Sequence, residues 1–223
     1  MSKSNVMFNI KMVDTIFLDM DGTLLDLHYD NFIWETAMPI EYANLHGVTC
    51  QHAKSIIKEL IHIHRGTLNA YCLKYWSRLL NIDLVDLHYR YQDKITFREN
   101  AELFLQNIKD HNFNVFLVTN ADKDNLRIKL SITFLDKYMK GIYSAHDFGH
   151  AKETQEFWLK LHNEIKFSKN KAILIDDNRN VLCSAKQFGL GNVFLISKPC
   201  SMTNGIYMSE YNIIDNFNQF YWN

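Results

Sequence analysis

Two aspartates, two positions apart, are the first residues in this chain whose type and spacing could do chemistry. Asp19 and Asp21 follow Thr15–Leu18, an apolar run that is too short for a typical helix and apolar enough for a buried strand. Gly22 comes next and lets the backbone turn without a Cβ clash. Ligands of open α/β sheets bind at this carboxyl end of a strand. The pair therefore indicates a nucleophilic carboxylate, a second carboxylate as acid and base, and a divalent metal ion.

The two carboxylates suit different steps of one reaction. Asp19 is the candidate nucleophile, because a carboxylate that accepts a phosphoryl group divides one difficult hydrolysis into two easier steps. Asp21 is the candidate acid and base, which would protonate the leaving oxygen and then deprotonate the attacking water. We expect its pKa to lie above the ordinary value of about 3.9, because it must begin protonated. We also expect the Thr23 side chain to hold the turn by a hydrogen bond to the backbone.

Three later positions could complete a site around this pair. Thr119 ends a second apolar run, where its hydroxyl and the backbone N–H of Asn120 suit a phosphate oxygen, although Thr119 could equally be a helix cap. Lys152 is expected to open a helix, where a positive charge indicates a bound anion or an ordinary surface lysine. Asp176 and Asp177 end another apolar run. Adjacent buried acids favour a cation, and hard oxygen ligands favour Mg²⁺, unless the pair is a helix cap with an acidic first turn.

Five apolar runs, spaced for βαβ units, are the predicted strands that would position these residues. They are Thr15–Leu18, Asn114–Thr119, Gly141–Ser144, 171–175 and Asn192–Ile196. Helices are predicted between them over 100–111, 122–135, 152–165 and 180–188. Right-handed crossovers would arrange the strands as a doubly wound, Rossmann-like parallel sheet, which is an α/β fold. The tail from 211 to 223 fits a strand, a helix or a partner contact equally well.

The stretch from 27 to 96 breaks this alternation and has helical periodicity instead. Helices are predicted over 31–46, 49–64, 68–80 and 84–95, with Thr49 as an N-cap. A helical bundle inserted directly after the first strand would cover the carboxyl edge of the sheet. We therefore predict an α/β core of residues 1–26 and 97–223 and a helical cap of residues 27–96.

Histidines and aromatic residues are frequent in the predicted cap. It contains six of the ten histidines, but His62 and His64 do not share a helix face, so we expect packing or substrate contacts rather than a metal site. We expect its aromatic side chains to form mostly the bundle core: Trp34, Tyr42, Tyr71, Tyr75 and Trp76.

Composition excludes several classes of protein. Hydrophobic residues make up 47% of the 223 residues, so the chain can bury a sizeable core. The net charge of −1 gives no electrostatic footprint for nucleic acid or an anionic membrane. No apolar stretch approaches the roughly 20 residues that a membrane span needs, and residues 1–5 lack the apolar region of a secretion signal. Four scattered cysteines indicate reduced thiols in a cytoplasmic protein.

The order of these motifs resembles that of the haloacid dehalogenase-like (HAD) phosphohydrolases. Residues 19–23 match the family's first motif, Thr119 its second, Lys152 its third and the aspartates at 176 and 177 its fourth. The helical insert looks like the family's C1-type cap, and the resemblance spans nearly the whole chain. One departure is Glu153, where many relatives have proline.

The resemblance implies hydrolysis of phosphomonoesters through an aspartyl-phosphate intermediate on Asp19. It implies a Mg²⁺ ion on the carboxylate of Asp19, the backbone carbonyl of Asp21, Asp177 and, directly or through water, Asp176. The residues implied to bind the substrate's phosphate and leaving oxygen are Met20, Asp21, Thr119, Asn120 and Lys152.

Segments of the insert and of the third motif are more narrowly similar to bacterial GMP/IMP nucleotidases of this family. The matching segments are 18–27, 30–32 with Trp34, 67–69, 71–72, 75–77, 148–149 and 152–153 with Gln155 and Trp158. This likeness implies purine nucleoside 5′-monophosphates as substrates. Arg65, Asn69 and Tyr71 are the candidates for nucleoside contacts.

Several other functions compete with this one. A phosphatase or phosphomutase acting on sugar phosphates would share every core motif. A 2-haloacid dehalogenase would share the fold and the nucleophile but needs no metal, so Asp21 and the pair at 176 and 177 argue against it. Phosphonate hydrolysis would need a Schiff-base lysine from the cap, such as Lys54, Lys58 or Lys74. A non-enzymatic interaction module would be expected to lack a motif residue, and none is missing.

Overall fold

A computed structural model describes residues 8–9, 13–111, 113–205 and 210–221. Residues 1–5, in which we expect no secretion signal, lie outside these ranges. The strands are β1 Phe8–Asn9, β2 Thr15–Leu18, β3 Asn114–Thr119, β4 Gly141–Ser144, β5 Ala172–Asp176, β6 Asn192–Ile196, β7 Asn212–Ile214 and β8 Phe220–Tyr221. The α-helices are α1 His28–Phe32, α2 Met38–His46, α3 Cys50–His64, α4 Leu73–Leu80, α5 Leu84–Arg90, α6 Ala101–Asp110, α7 Lys123–Thr133, α8 Ala145–Phe148, α9 Gln155–Ile165 and α10 Arg179–Phe188.

Six of these strands form one parallel sheet in the order β4-β3-β2-β5-β6-β7. The central strand β2 pairs Leu18 with Leu117 of β3 and with Ile175 of β5. The chain therefore leaves all three strands at the same edge, where Asp19 follows β2. The connections run to opposite sides of β2 at this point, which is where ligands bind in open α/β sheets. The predicted α/β fold class is confirmed.

Both faces of the central strands are covered, which explains why β2, β3, β5 and β6 are nearly continuous apolar runs, whereas the edge strands β4 and β7 are only partly buried. Along β2, Ile16 and Leu18 pack into a cluster on one face, whereas Phe17 packs into a second cluster on the other. The first cluster continues into the helical insert, where Trp76 is also buried. The expectation that the insert's aromatic residues are mostly core holds for Trp76, and Trp34 packs against it edge to face at 5.2 Å.

The helical insert differs from its sequence prediction in where its helices begin and end. The first starts at His28 and contains a π-helical turn over Ile33–Ala37, so its hydrogen bonding shifts before α2. The predicted helix over 68–80 is a 3₁₀ turn, Leu68–Tyr71, followed by α4. Thr49 caps α3 as expected, its hydroxyl accepting the His52 N–H. In the described part of the chain, no helix combines the length and apolar character that a bilayer crossing needs.

The two segments that join insert and sheet lie side by side. The Asp26 N–H donates to the Thr96 carbonyl at 2.9 Å, and the Arg98 N–H donates to the Leu24 carbonyl at 2.8 Å. This pairing lies next to the predicted boundaries at 26/27 and 96/97, which stay a prediction.

The C-terminal tail contributes a sixth strand to the sheet, which the sequence did not distinguish from its alternatives. β7 extends the sheet beside β6, and β8 pairs with β1 in a separate two-stranded parallel sheet. Phe217 and Phe220 pack on Phe104 of α6, so aromatic contacts hold this part of the tail against the core.

Candidate active site

Three aspartates converge at the carboxyl edge of the sheet. Asp19, Asp176 and Asp177 each offer a carboxylate oxygen, and these oxygens lie within 4.8 Å of one another. Asp19 and Asp176 are buried because they follow or end buried strands. Gly22 has φ +77°, and a Cβ on it would collide with the carboxylate of Asp177. The glycine is therefore required both by its backbone conformation and by the approach of the acidic group.

Lys152 lies among these carboxylates with almost no exposed surface. Its Nζ donates to Asp19 Oδ1 at 2.5 Å, to Asp176 Oδ2 at 2.8 Å and to the Val118 carbonyl at 3.1 Å. An ammonium has three N–H donors, so all three are used. The prediction that Lys152 binds phosphate stays a prediction, and it requires one of these bonds to be shared or exchanged. What the structure shows is a cation that fixes the orientation of Asp19.

Lys152 does not open a helix, which corrects the sequence prediction. Helix α9 begins at Gln155, three residues later, and Lys152 lies in the preceding turn. Its backbone N–H donates to Asn120 Oδ1 at 2.9 Å, and its carbonyl accepts the Trp158 indole N–H at 2.8 Å. These side-chain contacts hold the turn out of helical geometry, and they could not be inferred from local propensity.

The electrostatics of the three aspartates fit a divalent cation. Burial raises the pKa of Asp19 to about 7 against the opposing effect of Lys152. Burial, with repulsion from Asp176 and Asp19, raises the pKa of Asp177 well above its usual range. Lys152 is shared by two of these carboxylates, and Asp177 has no ion pair with any described residue. Clustered oxygen ligands with excess negative charge are the donor set that Mg²⁺ prefers.

Asp21 faces a second buried lysine, which the sequence analysis missed. Lys129 of α7 donates to Asp21 Oδ1 at 2.6 Å and to both oxygens of Asp30 at 2.7 and 2.9 Å. Burial raises the pKa of Asp21 to about 6 although Lys129 opposes the shift, in the direction expected for a general acid. The sequence carries no signal for this burial, because Asn125, Lys129 and Thr133 are polar and recur every four residues, a pattern typical of an exposed helix face.

The predicted phosphate-binding positions lie beside this cluster. Thr119 is buried at the end of β3, and its hydroxyl accepts the Ala121 N–H at 3.0 Å, as a cap would. Met20 points its side chain into the hydrophobic core, which leaves its backbone to reach a ligand. Thr23 does not hold the turn as expected, because its buried hydroxyl has no hydrogen-bond partner among the described residues.

Glu153, the departure from the family pattern, links the core to the cap. Its carboxylate accepts hydrogen bonds from Tyr71 at 2.8 Å, Asn120 at 2.9 Å and Asn178 at 3.2 Å. Tyr71 belongs to the helical insert, whereas Asn120 and Asn178 follow strands of the sheet. A proline could make none of these contacts, so the departure at Glu153 has a defined structural role.

The structure distinguishes the three predicted nucleoside contacts from one another. Tyr71 is joined to the site through Glu153, whereas Arg65 and Asn69 are exposed. Neither Arg65 nor Asn69 has a side-chain hydrogen bond to a described residue. All three assignments stay predictions. The lysines considered for a Schiff base are exposed, and Lys74 forms an ion pair with Asp124 at 2.7 Å.

Comparison with known proteins places this arrangement in one family. The sequence model of the haloacid dehalogenase-like hydrolases matches residues 13–189. The chain is 36% identical to the GMP/IMP nucleotidase YrfG of Escherichia coli (strain K12) over 199 residues, which cover 89% of this chain and 88% of that protein.

Solved structures share the fold across different chemistries. The HAD phosphatase of Thermococcus onnurineus superposes with a TM-score of 0.78 at 18% identity, covering 93% of this chain and 95% of that one. The L-2-haloacid dehalogenase of Xanthobacter autotrophicus superposes with a TM-score of 0.57 at 13% identity, covering 83% and 78%. These structural likenesses establish the fold alone. The family is shown by the match to the family's sequence model, which covers 177 of the 223 residues (13–189). The chain is an enzyme that belongs to the haloacid dehalogenase-like hydrolase family.

Proposed function

We propose that this hydrolase is a magnesium-dependent phosphomonoester hydrolase that works through an aspartyl-phosphate on Asp19. The observation that carries the proposal is the buried carboxylate of Asp19, held at one oxygen by Lys152 and flanked by Asp176 and Asp177. A nucleophile needs a fixed orientation and a free electron pair. Lys152 supplies the orientation, and Asp19 Oδ2 has no hydrogen-bond partner among the described residues.

In the first step a carboxylate oxygen of Asp19 bonds to phosphorus, and the bond from phosphorus to the leaving oxygen breaks. Asp21 gives its proton to that leaving oxygen, so an alcohol departs rather than an alkoxide. In the second step Asp21 takes a proton from water, the water oxygen bonds to phosphorus, and phosphate leaves Asp19 as a carboxylate again. Atoms and protons balance over the two steps, and Asp21 ends protonated as it began.

The residues around the nucleophile support these two reaction steps. The ammonium of Lys152 stabilises the carboxylate form of Asp19 before attack and after release. Thr119 ends β3, the strand that pairs with β2, and its hydroxyl and the backbone of Asn120 are proposed to hold phosphate oxygens. Asp19, Asp176, Asp177 and the backbone carbonyl of Asp21 would hold Mg²⁺. When bound, this ion neutralises phosphate charge.

For the substrate we propose purine nucleoside 5′-monophosphates, with GMP and IMP as the first candidates. This choice is supported by the 36% identity to the GMP/IMP nucleotidase YrfG, which extends through the insert that would cover the leaving group. A small-molecule substrate also agrees with the net charge of −1, because proteins that bind nucleic acid usually have an excess of basic residues. The four free cysteines agree with the reducing environment of the cytoplasm, where such nucleotides occur.

A phosphate-release screen with Mg²⁺ tests this function. The panel contains GMP, IMP, AMP, hexose phosphates and a 2-haloacid, with free phosphate, halide and rearranged sugar phosphates as the products measured. The highest kcat/KM is expected for GMP or IMP. A preference for hexose phosphates would overturn the nucleotide assignment but retain the phosphatase, a rearranged product would identify a phosphomutase, and halide release would overturn the proposal.

A further inference from the structure

The ammonium of Lys129 is the second buried cation of the site, and the mechanism above does not use it. Lys129 has no exposed surface. Its three N–H donors match three nearby oxygens, one on Asp21 and two on Asp30. Asp21 follows β2, Asp30 lies in α1 of the insert and Lys129 lies in α7 of the core. One side chain therefore joins the catalytic loop, the first helix of the insert and the core.

Stability gives no sufficient reason for a lysine at this position. Desolvating a charged pair opposes its attraction, and apolar side chains of similar volume often replace buried ion pairs without loss of stability. The neighbourhood would suit such a replacement, because Ile128 is also buried on α7 and the Tyr29 ring centroid lies 5.5 Å from Nζ. The hydrogen bond from the ammonium to Asp21 explains better why a lysine occupies this position.

The contact fixes one oxygen of Asp21 and leaves the other free. Lys129 binds Oδ1, whereas Oδ2 has no hydrogen-bond partner among the described residues, and about a fifth of the Asp21 side chain is exposed (21%). Proton transfer to a leaving oxygen requires a carboxyl held within hydrogen-bond reach of it. Without an anchor the carboxyl of an aspartate rotates freely about its last two bonds, and each rotation moves the proton away from the reacting oxygen.

We propose that Lys129, held in turn by Asp30, is a positioning residue that aims the carboxyl of Asp21 at the leaving group. This inference rests on the proposed function, in which Asp21 is the general acid. Asp30 binds the ammonium with both oxygens, so Lys129 cannot follow Asp21 if that side chain rotates. Because Asp30 belongs to the insert, the aim of Asp21 also depends on how the insert is seated on the core.

The dependence of kcat/KM on the leaving group distinguishes a positioning role of Lys129 from a purely structural one. A nucleoside 5′-monophosphate releases a basic alkoxide that must be protonated, whereas 4-nitrophenyl phosphate releases a phenolate stable without a proton. The ratio kcat/KM reports phosphoryl transfer and not the later hydrolysis of the aspartyl-phosphate. Lys129→Met should lower kcat/KM about 100-fold for GMP but less than about 10-fold for 4-nitrophenyl phosphate.

Two further variants control this experiment. Arg127→Met removes an exposed cation from the same helix and should leave both substrates unaffected. Asp21→Asn removes the proposed general acid itself, so it shows how far the loss of that acid lowers kcat/KM for GMP relative to 4-nitrophenyl phosphate. If Asp21→Asn lowers kcat/KM equally for both substrates, the proposed function of Asp21 is wrong. If Asp21→Asn discriminates between the substrates and Lys129→Met does not, the positioning role of Lys129 is wrong.

A second variant keeps the inference testable if Lys129→Met does not fold. Asp30→Asn retains both Lys129 and Asp21 and weakens the anchor by one charge. It should lower kcat/KM about 10-fold for GMP and leave 4-nitrophenyl phosphate nearly unchanged, with circular dichroism matching the parent. An equal loss for both substrates, or no loss for either, contradicts the inference.

Discussion

The buried imidazole of His88 makes the stability of this fold sensitive to acid. His88 lies in α5 with none of its surface exposed. Its Nδ1 is 2.7 Å from the Leu84 carbonyl, and its Nε2 has no hydrogen-bond partner among the described residues. Burial, with a further contribution from the charge of Lys129, lowers the pKa of His88 to about 4. The folded protein therefore holds this imidazole neutral at pH values where an unfolded chain would protonate it.

The size of the effect follows from the difference between the folded and unfolded pKa values. An unfolded histidine has a pKa of about 6.5, so between this value and about 4 the unfolded chain binds more protons than the folded one. Stability then falls as pH falls through this window. One pKa unit corresponds to about 1.36 kcal/mol, so at about pH 5, roughly 1.5 units below the unfolded value, His88 costs about 2 kcal/mol.

The measurement is urea unfolding of the wild type and of His88→Leu at about pH 7.5 and about pH 5. Leucine fills a similar space and does not titrate. The comparison between the two chains is needed because Asp19 and Asp21 have raised pKa values, so their protonation stabilises the folded protein as pH falls. This contribution is the same in both chains and cancels. Between about pH 7.5 and about pH 5, the free energy of unfolding should fall by about 2 kcal/mol more in the wild type than in His88→Leu. Equal pH dependence in the two chains would refute this account of His88.

Three further substitutions test other parts of the site. Gly22→Ala should cost about 1–3 kcal/mol of stability in thermal unfolding, because its φ is left-handed and its Cβ would meet Asp177. Asp177→Asn should raise the Mg²⁺ concentration for half-maximal activity at least about 10-fold, because it removes a ligand charge. Tyr71→Phe should raise KM more than it lowers kcat, because it removes the hydrogen bond from the cap to Glu153, and steady-state kinetics measure this. Tyr75→Phe is the matched control, because its hydroxyl bonds within the cap.

Each of these predictions has a contradicting result. Wild-type stability in Gly22→Ala would mean that the turn and Asp177 can move apart without cost. An unchanged Mg²⁺ requirement in Asp177→Asn would remove this carboxylate from the metal site. Equal effects of Tyr71→Phe and Tyr75→Phe on KM would show that the contact with Glu153 has no special part in seating the cap.

The sheet and its acidic edge could be predicted because their signals are local. Four of the five predicted strands have the observed bounds, and the other differs by one residue at each end. The signal is clearest in β2, β3, β5 and β6, because a strand covered on both faces is a continuous apolar run. Asp19, Asp176 and Asp177 directly follow or end such runs. Parallel strands bring their carboxyl ends to one edge, so the meeting of these aspartates follows from topology.

The contacts that refine the site could not be predicted because they join distant parts of the chain. Lys129 meets Asp30 across 99 positions of sequence and Asp21 across 108. Tyr71 meets Glu153 across 82 positions. A single sequence shows neither that Lys129 is buried nor which acids it faces, because a polar helix face is normally exposed. The predicted helix start at residue 152 is wrong for the same reason, since Lys152 is bound by the distant Asn120 and α9 begins only at Gln155.

Trapping the phosphoenzyme tests the central claim most directly. The protein is mixed with GMP and Mg²⁺, quenched in acid within a single turnover, and digested for mass spectrometry. We predict one added phosphoryl group on the peptide that contains Asp19, sensitive to hydroxylamine as an acyl phosphate should be, and absent from Asp19→Asn, which should fold normally and turn over no substrate. Steady hydrolysis with no phosphorylated peptide, a phosphoryl group on another residue, or near-normal turnover by Asp19→Asn would contradict the assignment of Asp19 as the nucleophile.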